Sequence, residues 1–156
     1  MKKKTMKRIG LMLLAGVIIA GSIITYLFLK PHRNVQETSA YETLKSQDLT
    51  NEFTVDAAKA NTKYLVSDGN SKVLIVEGRV SKISTNQNGE QVIVLKDEGA
   101  KVGVSATFTQ QTSANTLAVK VGDIVKIKGA ITAGNRYDKE LDLYEHAILV
   151  QCIIEK

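Results

Sequence analysis

Apolar and polar positions follow four successive patterns along the chain. From Ile9 to Leu29 there are 21 residues without a charge. A helix rises about 1.5 Å per residue and a bilayer core is about 30 Å thick, so about 20 apolar residues suffice to cross it. Pro31 to about Lys45 is mostly Asn, Gln, Glu, Thr and Ser, which reads as a tether. Leu49, Phe53, Ala57, Ala60 and Tyr64 then recur at spacings of 4, 4, 3 and 4, the stripe of one helix face. A helix over Asp48 to Leu65 is predicted, with Asp48 as N-cap and Ser67-Asp68-Gly69-Asn70 as the turn that ends it.

Beyond Asn70 the period falls to 2 and β-branched residues dominate, which predicts five strands. The first, Lys72 to Ser84, sets Leu74, Val76, Gly78 and Val80 on one face, with Gly78 as a candidate bend. Asn88-Gly89 turns the chain into Gln91 to Lys96, and Asp97-Glu98-Gly99 turns it into Lys101 to Thr109. Gln110 to Val121 is too rich in Thr, Ser, Asn and Gln for a full helix. Gly122-Asp123 opens Ile124 to Thr132, and Gly134-Asn135 leads into a last strand, Tyr137 to Ile154. A meander, a longer connection and a closing hairpin are the layout of a five-stranded OB-fold barrel, with the leading helix available to cap it. The expected class is mainly β. The expected organisation is a basic tail (1–8), a transmembrane signal anchor (9–29), a tether (30–46) and an OB-fold domain with its leading helix (47–156).

The flanks give the apolar run a direction. A cleaved signal has an apolar core of about 7 to 15 residues and small residues at its end. Here the run is longer and ends in Thr25-Tyr26-Leu27-Phe28-Leu29, which predicts an uncleaved anchor. Lys2, Lys3, Lys4, Lys7 and Arg8 precede it, against Lys30 and Arg33 after it, so the N-terminus is expected inside and the domain outside the cytoplasm.

Charge confirms this division and changes the functional reading. The chain carries a net +5, but from Asn34 onward 14 Lys and Arg face 16 Asp and Glu, a net of −2. The basic excess belongs to the anchor and its flanks. The domain therefore lacks, as a net property, the basic footprint that a phosphate backbone calls for. The single cysteine, Cys152, has no partner for an internal disulfide and sits in an apolar run, which predicts a buried thiol.

The residues Leu49, Phe53, Ala57 and Tyr64, then Val76-Glu77-Gly78-Arg79-Val80, then Val121-Gly122-Asp123 followed by Val125-Lys126-Ile127-Lys128-Gly129, resemble the tRNA_anti-like family of small bacterial OB proteins. The likeness runs from about Leu49 to the C-terminus. It implies an OB barrel, anchored in or secreted across a bacterial membrane, and carries over no catalytic residue. The turn Ser67 to Ser71 is longer than the family's usual one, which leaves the start of the first strand open. With the anchor, the expected location is the bacterial inner membrane, single-pass, with the domain periplasmic or otherwise extracytoplasmic.

OB barrels bind on the face of their second and third strands, between the loops joining strands 1 to 2 and 4 to 5. Those loops are expected at Thr85 to Glu90 and Ala133 to Lys139. Phe108 alternates in register with Val102, Val104 and Ala106 and is assigned to the core. The candidate ligand-binding residues are Arg136, Tyr137, Tyr144 and Lys128, with Lys126, Arg79 and Lys82 as further cations. On the predicted last strand Asp138, Glu140, Asp142, Tyr144 and His146 share a face. A three-residue hairpin loop would set Lys128 opposite Asp142 and Lys126 opposite Tyr144, a charge-paired surface rather than a metal site, because carboxylates along an extended strand diverge.

Catalysis has little to work with. His32 lies in the tether, and His146 is about 20 Å along the predicted strand from Cys152, too far for a nucleophile and base. There is no Cys/His zinc cluster and no phosphate-binding Gly-Lys-Ser/Thr loop. No enzyme activity, cofactor or metal is expected. The reading is an extracytoplasmic OB module held to the bilayer by residues 9–29 that engages an envelope protein, peptide or glycan. The alternative is single-stranded nucleic-acid binding, for which stacking aromatics are few.

Overall fold

The computed structural model describes residues 34–66 and 71–155. The run Ile9–Leu29, its orientation and the turn at 67–70 lie outside them. Among the described residues no helix is long and apolar enough to cross a membrane.

Residues read as the end of a tether are part of the folded unit. Glu42–Lys45 forms strand β1, which pairs in parallel with the first half of β2 (Val73–Thr85), Glu42 opposite Leu74 and Lys45 opposite Glu77. Upstream, Val35 is buried and the Lys128 ammonium donates to the carbonyl of Gln36 at 2.9 Å. A four-residue edge strand carries no long periodic signal, and its partner lies some 30 residues on, so composition alone gave the wrong class for this stretch.

The single predicted helix is two: α1, Ser46–Val55, and α2, Ala57–Tyr64. Asp56 divides them. Its backbone is non-helical (φ −148°, ψ 85°), its N–H still bonds Glu52 O, and its side chain accepts from the Lys59 N–H at 2.9 Å. A short carboxylate that competes for backbone N–H groups caps a helix more readily than it continues one. Asp48 lies in the first turn of α1 rather than at its cap, which is Lys45. The break alters the stripe: Leu49, Phe53, Ala60 and Tyr64 are buried, while Ala57 is exposed.

Five strands close the barrel: β2, β3 (Gln91–Leu95), β4 (Val104–Phe108), β5 (Ile124–Ala133) and, after two short strands described below, β8 (Ala147–Glu155). The sequence order β2-β3-β4 is an antiparallel meander; β4 runs parallel to β8, β8 antiparallel to β5, and β5 returns to β2. β2 belongs to both halves of the closure. It pairs with β5 through Val73–Arg79 and with β3 through Val80–Thr85, changing partner just past Gly78. A Cβ at Gly78 would lie 2.6 Å from Ser46 Oγ and 3.1 Å from Leu95 Cβ, so the glycine lets the start of α1 seat against the strand. Leu74, Val76, Val80, Ile93, Leu95, Phe108, Ile127 and Leu149 fill the interior, and Leu49, Phe53 and Tyr64 cap it. Cys152 is fully buried, and desolvation drives its thiol pKa far upward. Between β4 and β5 the chain makes only a short 3₁₀ turn, Ser113–Thr116.

The predicted last strand, Tyr137 to Ile154, is not continuous. Arg136–Asp138 (β6) and Leu143–Glu145 (β7) pair with each other as a separate two-stranded sheet, and only β8 enters the barrel. Asp142 at φ 49° marks the reversal, and Asp138 Oδ1 accepts from the N–H groups of Glu140 and Leu141, closing the turn. The partner of β5 is therefore the far end of the chain: Lys126 faces Glu155, Ile127 faces Ile154 and Lys128 faces Ile153. The predicted pairings of Lys128 with Asp142 and Lys126 with Tyr144 do not occur. Charge pairing survives with other partners, Lys126 to Glu77 at 3.5 Å and Lys128 to Glu155 at 3.8 Å.

Candidate functional site

The excursion between β5 and β8 builds the most distinctive surface of the domain. Arg136 and Glu145 face each other across the hairpin, Nη2 donating to Oε1 at 3.1 Å and Nε to Oε2. The carboxylate holds the guanidinium pKa up, and the guanidinium holds the Glu145 pKa down. One pair further out, Tyr137 and Tyr144 stack with centroids 4.7 Å apart and planes tilted by 37°. Tyr137 donates to Asp142 Oδ1 at 2.5 Å, and that bond raises its pKa. Lys101, from the loop before β4, donates to the Tyr144 hydroxyl at 3.3 Å and lies 5.2 Å from its ring centroid.

Beside the hairpin lies an open cleft of about 910 Å³. One wall is helical, with Phe53, Ala57, Asn61 and Leu65; the other is β7 with Arg136 and His146. Ser105, Thr132, Ala133 and Ile148 form its floor. The ring of Phe53 reaches this place because Gly134 leaves room: a Cβ there would stand 2.0 Å from Phe53 Cδ1. Asn135 lines the cleft while only 6 % exposed, and its amide donates to Thr54 Oγ1 at 3.0 Å.

His146 ties the cleft to the barrel. Its Nδ1 accepts from the Gly103 N–H at 3.1 Å, which leaves the proton of the neutral ring on Nε2. Burial, with Lys96 and Lys82 nearby, lowers its pKa. The sign follows: the folded form resists protonation, so the stability His146 contributes is complete above the ordinary value of about 6.5 and is lost as pH falls through the lowered folded value. Urea midpoints should drop between pH 7.5 and pH 5 in the parent chain, and drop less in His146→Gln. Equal drops would show that His146 is not the group responsible.

Three of the four predicted site residues, Arg136, Tyr137 and Tyr144, converge on the hairpin. Lys128 does not join them; its side chain is 12 % exposed and occupied by Glu155 and Gln36. Of the further cations, Arg79 donates to Gly122 O at 2.9 Å and Lys126 pairs with Glu77. Asn135 falls within the expected binding loop Ala133 to Lys139 without being named as a contact, and nothing local points to Lys101; contacts between elements distant in sequence leave no local mark. Among the described residues no three His, Cys, Asp or Glu side chains group as a metal site.

A closed five-stranded barrel, with a hairpin and cleft built on the connection between its last two strands, defines the protein as an OB-fold barrel. The chain belongs to the tRNA_anti-like family, whose sequence model matches residues 1–139. Among solved structures it resembles a lipoprotein from Klebsiella pneumoniae subsp. pneumoniae MGH 78578 whose given name proposes nucleic-acid binding. The TM-score is 0.53 at 19 % identity, covering 81 % of this chain and 99 % of that one. At that identity the likeness is one of fold. No curated protein sequence matches the chain.

Proposed function

We propose that this chain is a membrane-anchored extracytoplasmic binding module whose ligand enters the cleft between α2 and the β6–β7 hairpin. The observation that carries the reading is the cleft itself, an open hollow with a mostly apolar lining bounded by a hairpin that serves no barrel closure. The uncharged run Ile9–Leu29 and its basic flank support the anchor, and the net −2 of the rest of the chain suits a protein or peptide partner better than a phosphate backbone. The two hairpin tyrosines lie against each other, so neither inner face is open for a base.

A photo-crosslinking residue placed at Tyr144 in intact cells should give discrete adducts that the same residue at Leu117, 86 % exposed, does not give. Arg136→Ala with Tyr137→Ala should diminish them. Identical adducts from both positions, or none from Tyr144, would remove the cleft from consideration. A reporter active only outside the cytoplasm, fused after Lys156, should be active. Oligonucleotide binding that falls steeply with salt would instead promote the nucleic-acid alternative.

A further inference from the structure

Beside the cleft lie a buried acceptor without a partner and an unpaired strand edge, and together they specify a ligand class. Thr54 Oγ1 spends its one hydrogen on Thr50 O at 2.8 Å. It can therefore meet Asn135 only as acceptor, which makes Nδ2 the atom 3.0 Å away and sets the orientation of the amide. Asn135 Oδ1 is then left buried with no hydrogen-bond partner among the described residues. Native structures seldom strand a buried carbonyl, and a ligand N–H would satisfy it.

The second observation concerns β7. Leu143, Tyr144 and Glu145 all line the cleft, although side chains along a strand alternate between faces. Three in a row means that the cleft follows β7 along its length and reaches its outer edge as well as its side chains. That edge is open, because among the described residues β7 pairs only with β6. Such an edge accepts another extended chain. The third observation is chemical. The remaining surface is mostly apolar, with Phe53, Leu65, Ala133 and Ile148, and the one guanidinium present is already paired with Glu145. An anion would find no unpaired guanidinium, while an apolar side chain would find a floor.

We propose that the cleft binds an extended, uncharged, apolar peptide segment that adds as a strand to the open edge of β7 and gives an N–H to Asn135 Oδ1. This rests on the reading of the cleft as the binding surface. A peptide fits better than a glycan, since an extended backbone can pair with the open edge of β7 and a sugar ring cannot.

The test is selection of a random heptapeptide phage library on the full chain in detergent micelles, with Ile148→Glu protein as the counter-selection. Ile148 is 40 % exposed, so that change leaves the core intact. The selected peptides should be uncharged, with apolar residues at alternate positions. Affinity should fall tenfold or more in Ile148→Glu and in Asn135→Leu, and when one peptide amide is N-methylated. Exchange of the Leu143 or Glu145 amide hydrogens should slow on binding. If Asn135→Leu does not fold, Ile148→Glu and the N-methylated peptide still decide the matter. No enrichment over the counter-selection overturns the peptide assignment. Chitotetraose or oligodeoxythymidylate binding that Ile148→Glu abolishes would overturn the peptide and leave the cleft standing. Peptides that bind wild type and both variants equally would overturn the cleft as well.

Discussion

Phe53→Ala should lower the free energy of unfolding by about 3–5 kcal/mol, the cost of truncating a buried aromatic ring. Phe53 is 3 % exposed, its ring centroid lies 5.9 Å from that of Tyr64, and it fills the space that Gly134 leaves vacant on the barrel. Deleting it empties the joint between the helical cap and the strand pair β5–β8. The same ring lines the cleft, so the variant should also bind less tightly at temperatures where it remains folded. Urea denaturation followed by circular dichroism measures the first effect. A loss below about 1 kcal/mol would mean that the cap contributes little and that the barrel stands without it. Gly134→Ala approaches the same contact from the other side, by collision rather than by cavity, and should destabilise in the same direction.

A chain beginning at Ser46 should be less stable than one beginning at Asn34 by about 3 kcal/mol or more. Burying a valine such as Val35 contributes about 1.5–3 kcal/mol, and each net backbone hydrogen bond of β1 about 0.5–1.5 kcal/mol. Losing Glu42 also removes the 3.0 Å pair with Lys63 and the 3.3 Å contact with the Tyr64 hydroxyl. Burial pushes Tyr64 up to about 12, and without Glu42 its buried hydroxyl keeps, of its carboxylates, only the 3.1 Å contact with Glu52. The shortened chain bares the β2 edge along Leu74–Glu77, and self-association should rise with the loss of stability. Urea midpoints and sedimentation velocity of the two chains provide the comparison. Equal midpoints would show that β1 and Val35 add nothing to the stability of the barrel.

Much of the barrel is legible from neighbouring residues. The alternation through Leu74, Val76, Gly78 and Val80 names an inward face, and all four are buried. Phe108 follows the same rule, and Cys152 is buried as its apolar run predicts, although Gln151 at φ 54° breaks the alternation just before it. Asn88-Gly89 and Asp97-Glu98-Gly99 mark turns in which Gly89 and Gly99 both take φ 77°. The errors arise where two locally acceptable conformations compete. Asp56 can sit within a helix or cap a new one, and its bond to the Lys59 N–H decides for the cap. Tyr137 to Ile154 alternates well enough for one strand, yet Asp142 reverses it and Asp138 closes the turn.

The candidate site divides along the same line. Arg136, Tyr137 and Tyr144 could be grouped because they are close in sequence and of types that bind. Lys128 is a candidate as a cation; the expected register pairs it with Asp142, and the true register sends it to Glu155 and Gln36. Asn135 is legible as part of the loop Ala133 to Lys139, but its buried, unanswered oxygen exists only because Thr54, 81 positions earlier, takes its amide.

Periodicity, turn residues and charge distribution are properties of adjacent positions, and from them come the strand faces, the number of barrel strands and the separation of a basic, apolar N-terminal segment from a slightly acidic domain. Which strand edge meets which, where β1 docks and what surrounds Asn135 depend on contacts between residues far apart in the chain. Side-chain alternation is indifferent to the choice of partner, and closure of the barrel makes that choice by burying one set of edges and leaving the edge of β7 open.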